Sequence, residues 1–263
     1  MLIVQITDTH IRRKGDLLHH MVRTGRELRR CIAAINALPA KPAFVVATGD
    51  LVDRGKTKEY RRLHKILAGL MAPCFLLPGN HDDRDGLRDA FPEHRYLPTD
   101  GPLCYAIETR PVRLIALDTT RAGKPGGELD GRRLEWLDDR LLEAPATPTI
   151  IAMHHPPFAT GIGPLDSQPL KGRDALAEVI AAHPQVVRLI AGHVHRDFEA
   201  PFAGTVASTA PSTAHQVVID RDEDRGWTLR LERPAFALHR WTGRNLVTTV
   251  HRVADEPLLR AVS

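Results

Sequence analysis

Metal-ligand residue types recur at the ends of five apolar stretches of this chain. Val4-Gln5-Ile6-Thr7 runs into Asp8-Thr9-His10, Phe44–Thr48 into Gly49-Asp50, and Phe75–Pro78 into Gly79-Asn80-His81-Asp82. Ile150–Met153 runs into His154-His155-Pro156-Pro157, and Leu189–Ala191 into Gly192-His193-Val194-His195. Asp8 with His10, and His193 with His195, stand two residues apart, so in an extended segment each pair points the same way and can chelate. Gly49, Gly79 and Gly192 precede ligand candidates, where a missing Cβ lets the backbone turn sharply or approach an ion closely. A single Asp-x-His or Gly-Asp is more often a turn or helix cap than a ligand; the weight lies in five such ends in one chain. Asp8, His10, Asp50, Asn80, His154, His193 and His195 are more ligands than one ion with an open position needs. They suit two divalent ions sharing a carboxylate about 3.5–4 Å apart, an arrangement that serves phosphoester displacement. Imidazole, carboxylate and amide oxygen without thiolate fit Fe, Mn, Zn or Co.

The elements that must carry these ends alternate. Leu2–Thr7, Ala43–Thr48 and Cys74–Leu77 read as buried strands, separated by helices over Glu27–Leu38 and Lys58–Leu70. Leu103–Glu108 and Arg113–Leu117 form an antiparallel hairpin, and the alternation resumes with helix Arg132–Glu143, strand Thr149–Met153, helix Asp174–His183 and strand Val187–Ala191. After His195 only strands are expected: Thr205–Thr209, His215–Ile219, Thr228–Leu231, Ala235–Arg240 and Leu246–Val250, with the charge run 220–225 as a solvated hairpin tip. A layered α/β domain follows, and in such sheets ligands gather at the carboxyl ends of the strands. The division expected is a catalytic core over 1–196 and a β-rich segment over 197–263 that completes the sandwich and offers an edge or cap to a partner.

With 263 residues, 43% hydrophobic and 26% charged, the chain can bury a full core. Its net charge of +4, from 36 basic and 32 acidic residues, is too small and too evenly spread to point to a nucleic-acid polymer as partner. Three widely spaced cysteines read as reduced thiols, no apolar run reaches the ~20 residues of a membrane span, and the N-terminus lacks a signal pattern; a cytoplasmic protein without membrane partners is expected.

Together the five motifs resemble the calcineurin-like metallophosphoesterases, specifically the bacterial class III cyclic-nucleotide and glycerophosphodiester phosphodiesterases. Asp118-Thr119-Thr120-Arg121-Ala122-Gly123, Ser208-Thr209-Ala210-Pro211, Ala214-His215-Gln216-Val217 and Leu238-His239-Arg240 are similar to the glycerophosphodiesterase branch. The resemblance implies a four-layer αββα sandwich with two mixed β-sheets. It implies that Asp8, His10, Asp50 and His195 hold one ion, that Asp50, Asn80, His154 and His193 hold the other, and that His81 faces substrate. Gly49-Asp50-Leu51-Val52-Asp53-Arg54-Gly55 is similar to the protein phosphatases of the same superfamily, yet His154-His155-Pro156 departs from their His-Gly-Gly; Asp53 and Arg54 are read as bracing the Asp50 loop. Arg12, His19, Arg84 and His215 are candidate substrate contacts, and His155 a loop support.

Two divalent ions bring +4, Asp8 and Asp50 return −2, and a metal-bound hydroxide returns −1. About +1 is left for a phosphodiester of charge −1. The reading is a dinuclear phosphodiesterase for small, glycerophosphodiester-like substrates, with His81 stabilising charge or protonating the leaving oxygen. The alternatives are a 3′,5′-cyclic nucleotide phosphodiesterase and, further off, a phosphomonoesterase, a protein phosphatase or a non-catalytic scaffold. A homodimer or higher homo-oligomer is expected.

Overall fold

The computed structural model describes residues 1–218 and 228–254. Strand β1 (Leu2–Ile6), helix α1 (Thr24–Asn36), β2 (Phe44–Thr48), α2 (Thr57–Leu67), β3 (Cys74–Leu77) and α3 (Arg84–Ala90) open the chain, with β1, β2 and β3 parallel. A second sheet follows: β4 (Tyr105–Ile107), β5 (Arg113–Ala116), α4 (Gly131–Leu142), β6 (Thr149–Ala152), α5 (Gly163–Asp166), α6 (Arg173–Ala182), β7 (Val186–Ala191), β8 (Glu199–Phe202) and β9 (Thr205–Thr209). A short ribbon of β10 (Gln216–Val217) and β11 (Leu229–Arg230) precedes β12 (Ala235–Trp241) and β13 (Leu246–Arg252), which return to the first sheet. The sheet orders are β13-β12-β1-β2-β3 and β4-β5-β6-β7-β9-β8. Both are mixed: β12 runs antiparallel to β1, β4 to β5, and β8 to β9.

Alternation along the strands makes the layers. In β6, Ile150 and Ala152 join the core between the sheets, and Ile151 packs outward with Leu134, Leu137, Leu176 and Ile180 of α4 and α6. The first sheet buries Leu28, Cys31, Ile32 and Ile35 of α1 and Leu63 and Ile66 of α2. The result is the expected four-layer αββα sandwich.

Three elements escape the sequence pattern. Helix α3 starts where Asp83 caps the Gly86 N–H at 2.7 Å, inside what reads as a ligand loop, and α5 is four residues long. β8 carries Pro201, a residue tolerated because this strand is a sheet edge. The strands expected over 215–219 and 228–231 shrink to Gln216–Val217 and Leu229–Arg230, and the expected hairpin tip at 220–225 lies outside the described residues.

One buried polar cluster ties the layers together beneath the strand ends. Gln5 Nε2 donates to Thr48 Oγ1 (2.9 Å) in β2 and to the Ala191 carbonyl (2.8 Å) in β7, so one amide of β1 spans both sheets. His239 Nε2 lies 3.1 Å from Gln5 Oε1 and its Nδ1 2.9 Å from Thr248 Oγ1. Burial first, and Arg188 nearby, push the His239 imidazole down to about 3. Between pH 6.5 and that value the unfolded chain binds a proton that the folded chain refuses, so stability falls as pH falls and is insensitive to this group above 6.5. The stability advantage of the wild type over His239→Gln is therefore expected to shrink by about 1.4 kcal/mol per unit below pH 6.5, read by denaturant unfolding. An advantage unchanged between pH 7.5 and 5.5 would refute the neutral buried imidazole.

Candidate metal centre

Each cluster of ligand candidates sits just past the carboxyl end of a strand: Asp8 and His10 after β1, Asp50 after β2, Asn80 after β3, His154 after β6, and His193 and His195 after β7. Sheet one brings the first four and sheet two the last three. Ligating atoms of Asp8, His10 and His195 lie within 4.8 Å of one another, as do those of Asp8, Asp50 and His154. His10 Nε2 and His195 Nε2 are 3.2 Å apart, with Asp50 Oδ2 3.7 Å from the former and Asp8 Oδ1 3.4 Å from the latter. His154 Nε2 stands 3.1 Å from Asn80 Oδ1 and 3.4 Å from Asp50 Oδ1. His193 Nε2 is buried with no hydrogen-bond partner. Imidazole nitrogens and carboxylates converging in a dry site fit divalent cations in donor type and number.

The backbone holds these groups at a cost. Asp8, His10, Asp50, His193 and His195 adopt φ of 50°, 40°, 48°, 72° and 52°, a region L-residues other than glycine seldom enter. Such strain persists where the surroundings over-determine it, and it gathers at functional sites. Carbonyls fix the imidazole tautomers: Thr48 O accepts from His154 Nδ1 at 2.8 Å and His215 O from His195 Nδ1 at 3.0 Å, turning each Nε2 toward the site. The His193 amide donates to Asp8 Oδ2 (3.1 Å) and the His81 amide to Asp50 Oδ1 (2.9 Å). Burial opposes ionisation of Asp50, but His154 and His81 outweigh it and hold the carboxyl well below the usual range; Asp50 in turn lifts His154.

Glycine is sterically required at two of the strand ends. A Cβ on Gly79 would lie 2.2 Å from Asp50 N and 2.3 Å from Asp50 Oδ1, and one on Gly192 2.0 Å from Thr7 Oγ1. Gly79→Ala is expected to displace the Asp50 carboxylate and lower metal affinity about 10–100-fold while the far-UV circular dichroism stays native. Wild-type metal content in that variant, after dialysis against chelator and reloading, would contradict the close approach.

The expected second rank of residues divides. His19, His81 and His215 line a cavity of 410 Å³ together with His10, Asp50, Asn80, His193 and His195, with Pro125, Gln168, Val217 and Leu229 also on its wall. Arg12 and Arg84 do not line it. Arg12 Nη1 pairs with Asp53 Oδ2 at 2.6 Å, and Arg84 Nε pairs with the buried Asp118 carboxylate at 2.6 Å and reaches the Thr120 carbonyl. Both guanidinium groups brace loops, because a largely or fully buried carboxylate within reach offers them a charge-assisted bond. Asp53 leans chiefly on Arg12; Arg54 Nε is 3.5 Å away on an exposed side chain. His155 has both ring nitrogens engaged, with Thr119 Oγ1 (2.8 Å) and the Pro125 carbonyl (3.0 Å), as a loop support would.

Sequence reasoning gave Asp82 no task. Its carboxylate accepts from the amides of Gly79 (2.8 Å), Leu51 (2.9 Å) and Val52 (3.2 Å) and from Tyr60 Oη, clasping the Asp50 and Asn80 loops to each other. Ser212 Oγ donates to the Asp8 carbonyl at 2.7 Å and accepts the Ala214 amide, pinning the β9–β10 loop under the first ligand. Neither residue belongs to a ligand spacing; each joins near neighbours to backbone atoms distant in sequence, Leu51 and Val52 for Asp82 and Asp8 for Ser212.

Comparison with known proteins agrees with this geometry. Residues 1–197 match the family described as calcineurin-like phosphoesterase. A probable glycerophosphodiester phosphodiesterase, GpdQ, of Arcobacter nitrofigilis is 37% identical over 250 residues, covering 95% of this chain and 92% of that protein. The 3′,5′-cyclic adenosine monophosphate phosphodiesterase CpdA of Escherichia coli is 30% identical over 254 residues, 96% of this chain and 90% of the other. Among solved structures, a dimetal phosphatase from Danio rerio superposes with a TM-score of 0.62 at 14% identity, covering 97% of this chain and 99% of that one, a likeness of fold. With residues 1–197 matching the family and nearly the whole length 37% identical to one relative, the chain belongs to the calcineurin-like phosphoesterase family.

Proposed function

We propose that this chain is a metal-dependent phosphoric diester hydrolase acting on small glycerophosphodiester-like substrates. The observation that carries it is the convergence of seven oxygen and nitrogen ligand candidates from five strand ends, with the Asp50 carboxylate central and five of the seven lining a cavity of 410 Å³. Asp8, His10, Asp50 and His195 would hold one divalent ion, and Asp50, Asn80, His154 and His193 the second. When bound, such ions neutralise phosphoryl charge and make water acidic enough to attack near neutral pH. The chain's own part is to fix ligand tautomers through the Thr48 and His215 carbonyls, to present His81 Nε2 on the cavity wall, and to orient the two ester arms. Among the described residues, the wall beyond the ligand candidates, His19, Gln168, Pro125, Val217 and Leu229, is polar or aliphatic. The higher identity to the GpdQ relative favours a glycerol-type arm over a cyclic nucleotide.

Metal-reconstituted protein should hydrolyse bis(p-nitrophenyl) phosphate and glycerophosphoethanolamine, with kcat/KM for the latter at least about tenfold above that for cAMP. A preference for cAMP reverses the substrate assignment; no diester turnover with two ions bound points to a monoesterase or scaffold. Asn80 brings a neutral amide where the other set has the Asp8 carboxylate, so its ion faces less ligand charge. Calorimetric titration of metal-free protein with Mn²⁺ should resolve two affinities about tenfold or more apart, and two equally tight sites would contradict this ligand division.

The segment after residue 196 supplies β8 and β9 to one sheet and β12 and β13 to the other, and β13 leaves a seven-residue edge. We read this edge as the contact for a second copy in a homodimer, since long edges seldom stay unpaired; a clean monomer by sedimentation at micromolar concentration would refute it. The three cysteines are free and no described helix is long and apolar enough to cross a membrane. A reducing cytoplasmic setting accords with those thiols.

A further inference from the structure

The loop after β1 and helices α1 and α2 enclose a trough of 810 Å³, separate from the metal-ligand cavity. Its floor is a cationic stripe on α2: Lys58, Arg61, Arg62 and Lys65, at the spacings that put side chains on one helix face. Arg13 and Lys14 of the loop and Arg29 of α1 form the walls. Among the described residues, seven basic side chains thus meet around one hollow that contains one acidic residue, Asp16. The charge that composition presents as evenly spread is locally concentrated.

Two acids lie near this stripe, and each is ion-paired or hydrogen-bonded to groups other than the cations of α2. Asp16 is taken by Arg13 (3.0 Å) and Arg12 (3.6 Å). Glu59, the acidic residue of α2, is buried and accepts the Arg54 amide at 2.9 Å. Like charges three and four residues apart along a helix lower its stability, a cost retained in the absence of a ligand. The trough is also built: Arg62 Nη1 donates to the carbonyls of Arg12 (2.7 Å) and Arg13 (2.8 Å), holding the loop wall against α2.

We propose that this trough binds an oligophosphate, a chain of linked phosphate groups. Among the described residues no aromatic side chain lines it, so these offer none of the platforms on which single-stranded nucleic acid stacks. No described apolar side chain lines it either, so these have nothing to insert into a bilayer, and a hollow is the wrong shape for a flat membrane surface. What it offers is guanidinium and ammonium donors on three sides of a channel, with Lys58 and Lys65 about 10 Å apart along the helix axis. One phosphate would engage only one end of it.

The test uses the metal-loaded enzyme and sodium tripolyphosphate, followed by calorimetry. Tripolyphosphate should bind at least about tenfold tighter than orthophosphate, and Lys58→Gln with Lys65→Gln should weaken it at least about tenfold. Contact of the probe with the metal centre is common to both proteins and cancels in the comparison. The same double variant should unfold at a higher temperature than wild type in probe-free buffer, since two repelling charges are gone. A control at Lys41→Gln with Arg132→Gln, exposed cations outside the trough, should leave affinity within about twofold. Equal loss in the control, unchanged affinity in the trough variant, or equal binding of orthophosphate overturns the site. Tighter trough-dependent binding of an RNA duplex or of phosphatidylglycerol vesicles overturns the ligand class.

Discussion

Asp50→Asn is expected to lower turnover on any diester by at least about a thousandfold and to release metal from both positions at once. The substitution preserves shape. Asparagine Oδ1 can still accept the His81 amide that Asp50 Oδ1 accepts at 2.9 Å, so the loop after β3 keeps its anchor. What it removes is the charge faced by three imidazoles: His154 Nε2 at 3.4 Å, His10 Nε2 at 3.7 Å and His81 Nε2 at 4.0 Å. Asp50 presents Oδ1 to His154 and Oδ2 to His10, one oxygen toward each proposed ion. Replacing Asp8 should therefore weaken chiefly one ion, and replacing Asp50 both. Metal content by elemental analysis, with far-UV spectra to establish folding, separates the two variants. An Asp50→Asn protein that retains two ions at wild-type affinity would end the assignment of this carboxylate as the shared ligand.

The reach of the sequence ends where side chains stop answering to local pattern. The ligand candidates were legible because each follows an apolar run, and a polar residue that ends a buried strand must be paired or must bind something. The sheets were legible for the same reason. The βαβ spacing of β1, α1, β2, α2 and β3 leaves a parallel sheet as the economical way to bury Val45, Val46, Leu76 and Leu77. Arg12 and Arg84 show the limit. Nothing in Ile11-Arg12-Arg13-Lys14 reveals that Asp53, 41 residues away, will take one guanidinium at 2.6 Å and leave its neighbours facing a hollow. Asp82, Ser212 and Gln5 were hidden in the same way: each answers to backbone atoms, which every residue has, and for Ser212 and Gln5 the Asp8 and Ala191 carbonyls are brought near only by the packing of two sheets. Ligand types can be recognised one by one, whereas the residues that hold ligands in place become visible only with the tertiary structure.

His81→Ala should leave both ions in place and still reduce kcat on glycerophosphoethanolamine by about 10²–10³. The separation follows from which atoms do what. The His81 amide, which alanine retains, holds Asp50 Oδ1; the imidazole holds no ligand candidate by a hydrogen bond. Its Nδ1 is 2.8 Å from the Asp53 carbonyl, so that nitrogen carries a proton and the ring orientation is set, leaving Nε2 on the cavity wall 4.0 Å from Asp50 Oδ2. The side chain is 41% exposed, unlike the other imidazoles around Asp50, as suits a group that must meet substrate. A donor there would matter most for a poor leaving alkoxide and least for p-nitrophenolate, which departs without a proton. The loss should accordingly be at least about tenfold smaller on bis(p-nitrophenyl) phosphate than on glycerophosphoethanolamine. Equal losses on the two substrates would assign His81 to charge stabilisation alone, and full turnover with both would remove it from the reaction.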